Sequence, residues 1–377
     1  IRALAVEAWI DEFETRRGRR RGASRTMAAE PYEMGAVFES APGARVSALS
    51  FHREGAYCVS CATDGFLSLI DATEGMLKKQ VRCGKYGLGA TVYTHHDQSV
   101  LHCDASRDGG FPGGDPCAVR YLSLHDNKYL RFYVGHSARV CALAMNPLGD
   151  TFISACEAGD VVLWDLAAPA PVAKLELFAD VALRRDCGRL SPPAVAISPD
   201  ALVFAVCASS AIRGVIKMYD TRNYKGGPFA TFEVAQPSGR AGTHADVRWT
   251  GAEFSPEGDL LLISTNGPAH LIVDAFTGET KAALHDHAGM SNEVLAVSQR
   301  ADGTSAAFST DGKKVASGSF DGALRIYDVE GHPASPPMTL EGHSAPACLV
   351  KYSPKYDIVA SACAHTALWL PSDGEGE

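Results

Sequence analysis

Seven times between Val46 and Leu370 the chain repeats one plan: an apolar strand, a turn rich in Pro, Gly and Asp, a strand of small residues, another turn, and a strand ending in an aliphatic or aromatic residue. The copies are Val46–Phe51 leading to Leu67–Asp71, Gly87–Val92 to Tyr121–His125, Val140–Met145 to Val161–Asp165, and Ala194–Ser198 to Ile216–Asp220. Trp249–Phe254 leads to Leu271–Asp274, Thr304–Phe308 to Leu324–Asp328, and Cys348–Tyr352 to Ala367–Leu370. Between the second copy and the third, Val119–Leu124 and Tyr129–Tyr133 flank the polar turn His125-Asp126-Asn127-Lys128, which reads as a β-hairpin. Gly135-His136 follows it and Trp164-Asp165 comes about one repeat later, the punctuation of a WD-repeat blade.

A blade of this kind spends about 40–45 residues, so 377 residues accommodate one ring of seven. The expected fold is all-β, a single seven-bladed WD40 β-propeller over residues 31–371. Its strands are apolar on both faces, because each sheet is stacked between two others. The seventh copy stops after its third strand. The orphan strand Met34–Phe38 ahead of the first copy is the natural fourth strand, and its docking removes two open sheet edges. The turn after the first strand repeats as Asn146-Pro147, Ser198-Pro199-Asp200, Ser255-Pro256-Glu257-Gly258, Thr310-Asp311-Gly312 and Ser353-Pro354. Pro presets the first corner of such a turn and Gly or Asp tolerates the second.

Residues 1–30 break from this pattern. Six arginines between Arg16 and Arg25, with Gly and without apolar periodicity, predict a disordered basic extension. It reads as sequence upstream of a start at Met27, although a basic run of this kind also suits nuclear localisation or an acidic partner. The second copy carries a Gly/Pro/Asp insert, Asp104–Pro116, expected to be a surface loop with Phe111 at its tip. Residues 372–377 form an acidic tail. Net charge is −9 despite the arginines, which argues against direct nucleic-acid binding by the folded part. No window approaches the roughly 18 apolar residues of a membrane span.

Chemistry-bearing motifs are sparse. Eleven cysteines scattered through strand-like segments read as small apolar fillers of a reducing compartment. Cys58 and Cys61 have CxxC spacing but sit inside a strand, with no second pair to complete a zinc set. His95, His96, Asp97, His102 and Asp104 crowd the second copy, yet alternate strand residues point to opposite faces and do not converge. His285 and His287 occupy a linker. With no nucleophile elbow, P-loop or paired-histidine helix motif, neither catalytic residues nor metal or cofactor ligands are expected. The polar residues His136, Ser154 and Trp164, then Ser317, Ser319, Asp321 and Tyr327, then His343 and Trp369, instead fit the hydrogen-bonded chain that locks a WD blade. Unpaired, each such buried group costs about 1–3 kcal/mol. In the third copy Ala158 stands where the turn Asp belongs, with Glu157 and Asp160 nearby.

Several stretches are more specific than generic repeats: Lys85-Tyr86-Gly87, Arg120–Tyr129, Asp150–Ser154, Tyr219–Arg222, Gly227–Phe232, Leu262–Gly267, Asp274–Phe276, Ser361–Cys363 and Trp369–Pro371. In that order they resemble the WD-repeat subunit (Swd-two/WDR-eighty-two family) of the Set-type COMPASS histone methyltransferase, from about Met34 to Pro371. The resemblance implies a non-catalytic nuclear adaptor that binds the catalytic subunit of a histone lysine methyltransferase and other subunits, and couples methylation to RNA polymerase II. It also implies the alternative of a scaffold in a protein-phosphatase-one or cleavage and polyadenylation complex acting at transcription termination.

Strands alternate in direction, so every turn between a third and a fourth strand emerges on one face of the disc. The distinctive stretches His125–Tyr129 and Arg222–Phe229 lie at two such turns. Tyr129, Arg131, Arg222, Tyr224 and Phe229 are therefore the candidate anchors of a partner surface, Tyr and Arg being the residues that dominate binding hot spots. For Phe229 and Phe232 the competing reading is that they fill a gap between blades.

Overall fold

A computed structural model describes residues 32–104, 115–177, 191–210, 213–236, 247–267, 269–285, 306–329, 336–347 and 349–372. The basic extension, Met27, most of the 104–116 insert with Phe111, residues 286–287 and the end of the acidic tail lie outside them.

The described chain forms seven antiparallel four-stranded sheets, over 46–82, 91–134, 140–176, 194–235, 249–284, 306–340, and 349–371 completed by 32–39. They are numbered here as blades 1 to 7. Each of blades 1 to 6 is a simple meander, so its strands are successive in sequence. The innermost strand of every blade packs on the innermost strands of the two beside it, and Val46–Phe51 of blade 1 meets Leu349–Tyr352 of blade 7, which closes the circle.

Blade 7 takes its outer strand from the other end of the chain. Tyr32–Glu39 pairs antiparallel with His365–Pro371, from Tyr32 opposite Pro371 to Glu39 opposite His365, with an irregularity between Met34 and Ala36. The pairing is longer than the Met34–Phe38 strand read from sequence, because Tyr32 adds an anchor: its hydroxyl donates to Asp357 and accepts from Tyr352.

The apolar side chains fall into seven clusters, each shared by two neighbouring blades. This is why the strands are apolar on both faces: one face belongs to each seam. Cys58 and Cys61 show it directly. Three residues apart on one strand, they enter different clusters, Cys58 between blades 7 and 1 and Cys61 between blades 1 and 2. Burial pushes the Cys58 thiol up to about 12 and raises that of Cys61, so both behave as apolar filler. Polar groups add to this: the Ser60 hydroxyl lies 2.6 Å from that of Thr366 across the seam of blades 7 and 1, and Glu253 of blade 5 pairs at 2.5 Å with Lys351 of blade 7, skipping blade 6.

One inner-strand boundary differs clearly from the sequence reading. The inner strand of blade 2 is Thr91–Tyr93, not Gly87–Val92, because the chain is still turning at Cys83–Gly87, where the Gly87 N–H bonds the Cys83 carbonyl. In blade 6 the strand is described over Ala306–Phe308, and Thr304 and Ser305 lie outside the described residues. The first turn of the blades has a common mechanism: the serine ending the inner strand, Ser198, Ser255 or Ser309, accepts the N–H five residues later, at 3.1, 3.0 and 2.9 Å. The fourth position of that turn is left-handed, with φ of +77° at Gly55, +81° at Gly258 and +70° at Gly312. Blade 4 places Ala201 there at φ +57°, a conformation that costs a residue with a Cβ roughly 1–2 kcal/mol.

Candidate interaction surface

The polar chains inside the blades settle what is architecture. In blade 3 the Trp164 Nε1–H donates to Ser154 Oγ at 2.7 Å, and Ser154 lies 2.5 Å from His136 Nε2. The indole can only donate, so Ser154 Oγ accepts from it, and the His136 ring turns its Nδ1 away from the serine. That Nδ1 is buried without a hydrogen-bond partner, because Ala158 has no carboxylate. Asp160 is engaged elsewhere, by Ser137 Oγ at 2.5 Å and Lys174 at 2.9 Å. Burial, opposed by the Asp160 charge, holds the His136 imidazole down at about 4.

Blade 7 repeats the geometry: Trp369 Nε1 to Ser361 Oγ at 2.7 Å, and Ser361 to His343 Nε2 at 2.6 Å. In blade 6, among the described residues, the bonds run differently. Ser317 bonds His270 of blade 5 at 2.8 Å, Tyr327 donates to the His285 carbonyl at 2.5 Å, and Asp321 grips Arg325 at 2.6 Å. The Arg325 guanidinium holds the Asp321 carboxyl far below its usual range.

The clustered histidines of blade 2 part company. His95 bonds the Gly149 carbonyl of blade 3, Asp97 lies 3.4 Å from His52 of blade 1, and His102 is buried in the sheet. Burial and the Arg120 charge push His102 down to about 3.

The five candidate anchors separate into two groups. Tyr129 is built into an aromatic cluster, 4.9 Å from Tyr86, 5.6 Å from Phe132 and 5.7 Å from His102 between ring centroids. Its neighbour Arg131 donates to the Leu166 carbonyl of blade 3, which also accepts the Tyr133 hydroxyl at 3.0 Å. Arg131 and Tyr133 thus join blade 2 to blade 3, while Tyr129 packs at the seam of blades 1 and 2. The other group stands free on blade 4. Arg222 and Phe229 are exposed and line a groove of about 370 Å³ with Leu202, Asp220 and Asn223. Tyr224 begins a short 3-10 turn, Tyr224–Gly226, and is half-buried against the seam of blades 3 and 4. Phe229 is 62% exposed, so it fills no gap between blades. Phe232 does, lying where a Cβ on Gly278 of blade 5 would come within 2.3 Å of its ring.

Phe229 has company that the strand pattern did not disclose. Leu148 is 72% and Phe276 77% exposed, and Val172 and Leu202 are exposed as well. All five sit on first-to-second or third-to-fourth strand turns of blades 3, 4 and 5, which open on the same face of the ring. The result is an apolar arc with the Arg222 guanidinium at its centre, a surface suited to holding a protein segment by apolar anchors and one cation. Single apolar residues inside turns carry no periodicity, and only the ring brings them together.

Sheets of this form, with interior His–Ser–Trp chains and blade-to-blade seams, define a WD-repeat β-propeller. Residues 35–71, 127–165 and 282–328 match the WD domain, G-beta repeat. WD repeat-containing protein 82 of Drosophila melanogaster is 34% identical over 337 residues, 88% of this chain and 92% of that protein, and the chain belongs to its family. COMPASS component SWD2 of Saccharomyces cerevisiae is 25% identical over 84% of this chain and 88% of its own. Set1 complex component swd2 of Schizosaccharomyces pombe is 29% identical over 62% of this chain and 57% of its own.

Proposed function

We propose that this protein is a non-catalytic adaptor of a COMPASS or Set1-type histone lysine methyltransferase complex in the nucleus, coupling chromatin methylation to transcription by RNA polymerase II. The observation that carries the reading is likeness along most of the chain to proteins named as components of those complexes. The apolar arc around Arg222 supports it, because an adaptor needs a docking face and this one requires no rearrangement of the ring. Its anchors are Arg222, Phe229, Leu148 and Phe276, with Tyr224 supporting the turn from beneath. Arg131 contributes by tying blade 2 to blade 3, and Tyr129 by packing at the seam of blades 1 and 2.

Affinity purification of the tagged chain from nuclear extract, read by mass spectrometry, should recover a Set1-type catalytic subunit. Recovery of phosphatase-one or polyadenylation subunits without it would overturn the reading in favour of a termination scaffold. Substituting Phe229→Ala with Phe276→Ala, or Arg222→Ala with Tyr224→Ala, should weaken that recovery while leaving a folded ring. Undiminished recovery would place the docking face elsewhere.

A further inference from the structure

Around His343, whose Nε2 side belongs to the Trp369–Ser361 chain, blade 7 carries a constellation that the adaptor reading does not use. The position taken by a turn carboxylate in a complete blade chain is filled here by Cys363 and His365. His343 Nδ1 lies 3.1 Å from Cys363 Sγ, and His365 Nδ1 lies 3.4 Å from the same sulfur. The three donor atoms fall within 4.8 Å of one another. With Zn–S near 2.3 Å and Zn–N near 2.0–2.1 Å, a tetrahedral centre sets sulfur and nitrogen about 3.6 Å apart. The observed spacings are therefore close to two edges of such a tetrahedron.

We propose that His343, Cys363 and His365 form a site for a thiophilic divalent metal, zinc in the first instance. The surroundings supply what a ligated imidazole needs on its far side. His343 Nε2 faces Ser361 Oγ at 2.6 Å, so the tautomer with its proton on Nε2 both frees Nδ1 for the metal and donates to the serine. Glu39 stands opposite His365 in the strand register, at the Cβ separation of about 4.5–5.5 Å usual for cross-strand pairs, within reach of that ring's other N–H. Both rings are half-buried rather than sealed, and a turn of the His365 ring, now stacked on His343 at 4.9 Å, completes the convergence. On binding, the Cys363 thiol releases its proton to solvent as the Zn–S bond forms, and His343 ligates as the tautomer protonated on Nε2.

Blade 3 is the internal comparison. His136, Cys156 and Asp160 group in the same way, but all three are buried and Asp160 is held by Ser137 and Lys174, so no open ligand set remains. The metal of blade 7 would pin the segment entering that blade to the strand on which Tyr32–Glu39 docks.

The test is titration of the reduced full-length protein with Co2+ as a spectroscopic probe and Zn2+ as competitor. One equivalent of Co2+ should give a sulfur-to-metal charge-transfer band that Zn2+ abolishes, and Zn2+ should raise the Tm. The band should vanish in Cys363→Ser and persist in Cys156→Ser. His365→Asn, which changes only a half-exposed side chain and is checked for folding by circular dichroism, should weaken Zn2+ by more than the roughly 10–100-fold that losing an outer partner costs. Absence of the band in the wild type, its survival in Cys363→Ser, or unchanged affinity in folded His365→Asn would overturn the proposal.

Discussion

Gly214 of blade 4 makes room for Trp249 of blade 5, and filling that room is the sharpest test of how the blades are held. A Cβ at Gly214 would stand 1.8 Å from Trp249 Cζ2 and 2.1 Å from Cη2, far inside van der Waals contact. The indole cannot retreat easily. It is 2% exposed, its Nε1–H donates to Gln236 Oε1 at 3.2 Å, and its backbone N–H donates to Ser209 Oγ at 2.9 Å. Gly214→Ala should therefore cost about 3 kcal/mol, the upper end of the range for overpacked cores. Trp249→Phe removes the two offending atoms but leaves a cavity and an unsatisfied Gln236, at about 3 kcal/mol by itself. Combined, the two changes should be less damaging than their sum by about 1–2 kcal/mol, since the alanine methyl enters space the shorter ring has vacated. Urea denaturation followed by far-UV circular dichroism measures all four corners of the cycle. A Gly214→Ala protein as stable as the parent, or strict additivity in the double variant, would refute the reasoning.

Three further outcomes follow from the geometry. His136 stays neutral when folded, with its value near 4 against 6.5 when unfolded, so the unfolded chain takes up a proton first and stability falls as pH drops from about 6.5 toward 4; between about pH 7 and 5 the loss is about 2 kcal/mol. His136→Asn should flatten that dependence, and an unaltered pH profile of unfolding would count against it. Ala201→Gly should raise the urea midpoint, the relief of left-handed strain exceeding the flexibility penalty by about 0.5–1 kcal/mol, whereas a fall would show that the Ala201 Cβ makes contacts worth more than its strain. Deleting Tyr32–Glu39 strips His365–Pro371 of its partner and should abolish cooperative unfolding; a soluble variant with one sharp transition would contradict the ring closure.

Much of the ring was legible because its signals are local and repeated. Inner strands such as Val140–Met145 are apolar throughout, the Ser–Pro–Asp/Glu turns recur, and the missing fourth strand of the last copy pointed to the orphan at Met34. The boundary at Thr91 was hidden because Gly87-Leu88-Gly89-Ala90 has a strand's composition while its backbone is still completing a turn. The candidate site was only half legible. Arg222 and Phe229 announced themselves as unusual residues in a Gly-Pro turn, but Tyr129 and Arg131 looked the same in sequence and are committed to packing. Leu148 and Phe276 gave no signal, since belonging to one face depends on blades more than a hundred residues apart in sequence. The Arg325 partner of Asp321 gave no signal either, since the pattern of a locking chain does not include it.

Tyr32 hydrogen-bonds a residue 325 positions further along the chain, which sets an order on synthesis. A ribosome has to deliver the chain through Pro371 before this early strand can find its mate. Every product cut short before His365 thus shares one defect, an unmated β-edge along Tyr32–Glu39, a single mark by which all such fragments are recognisable.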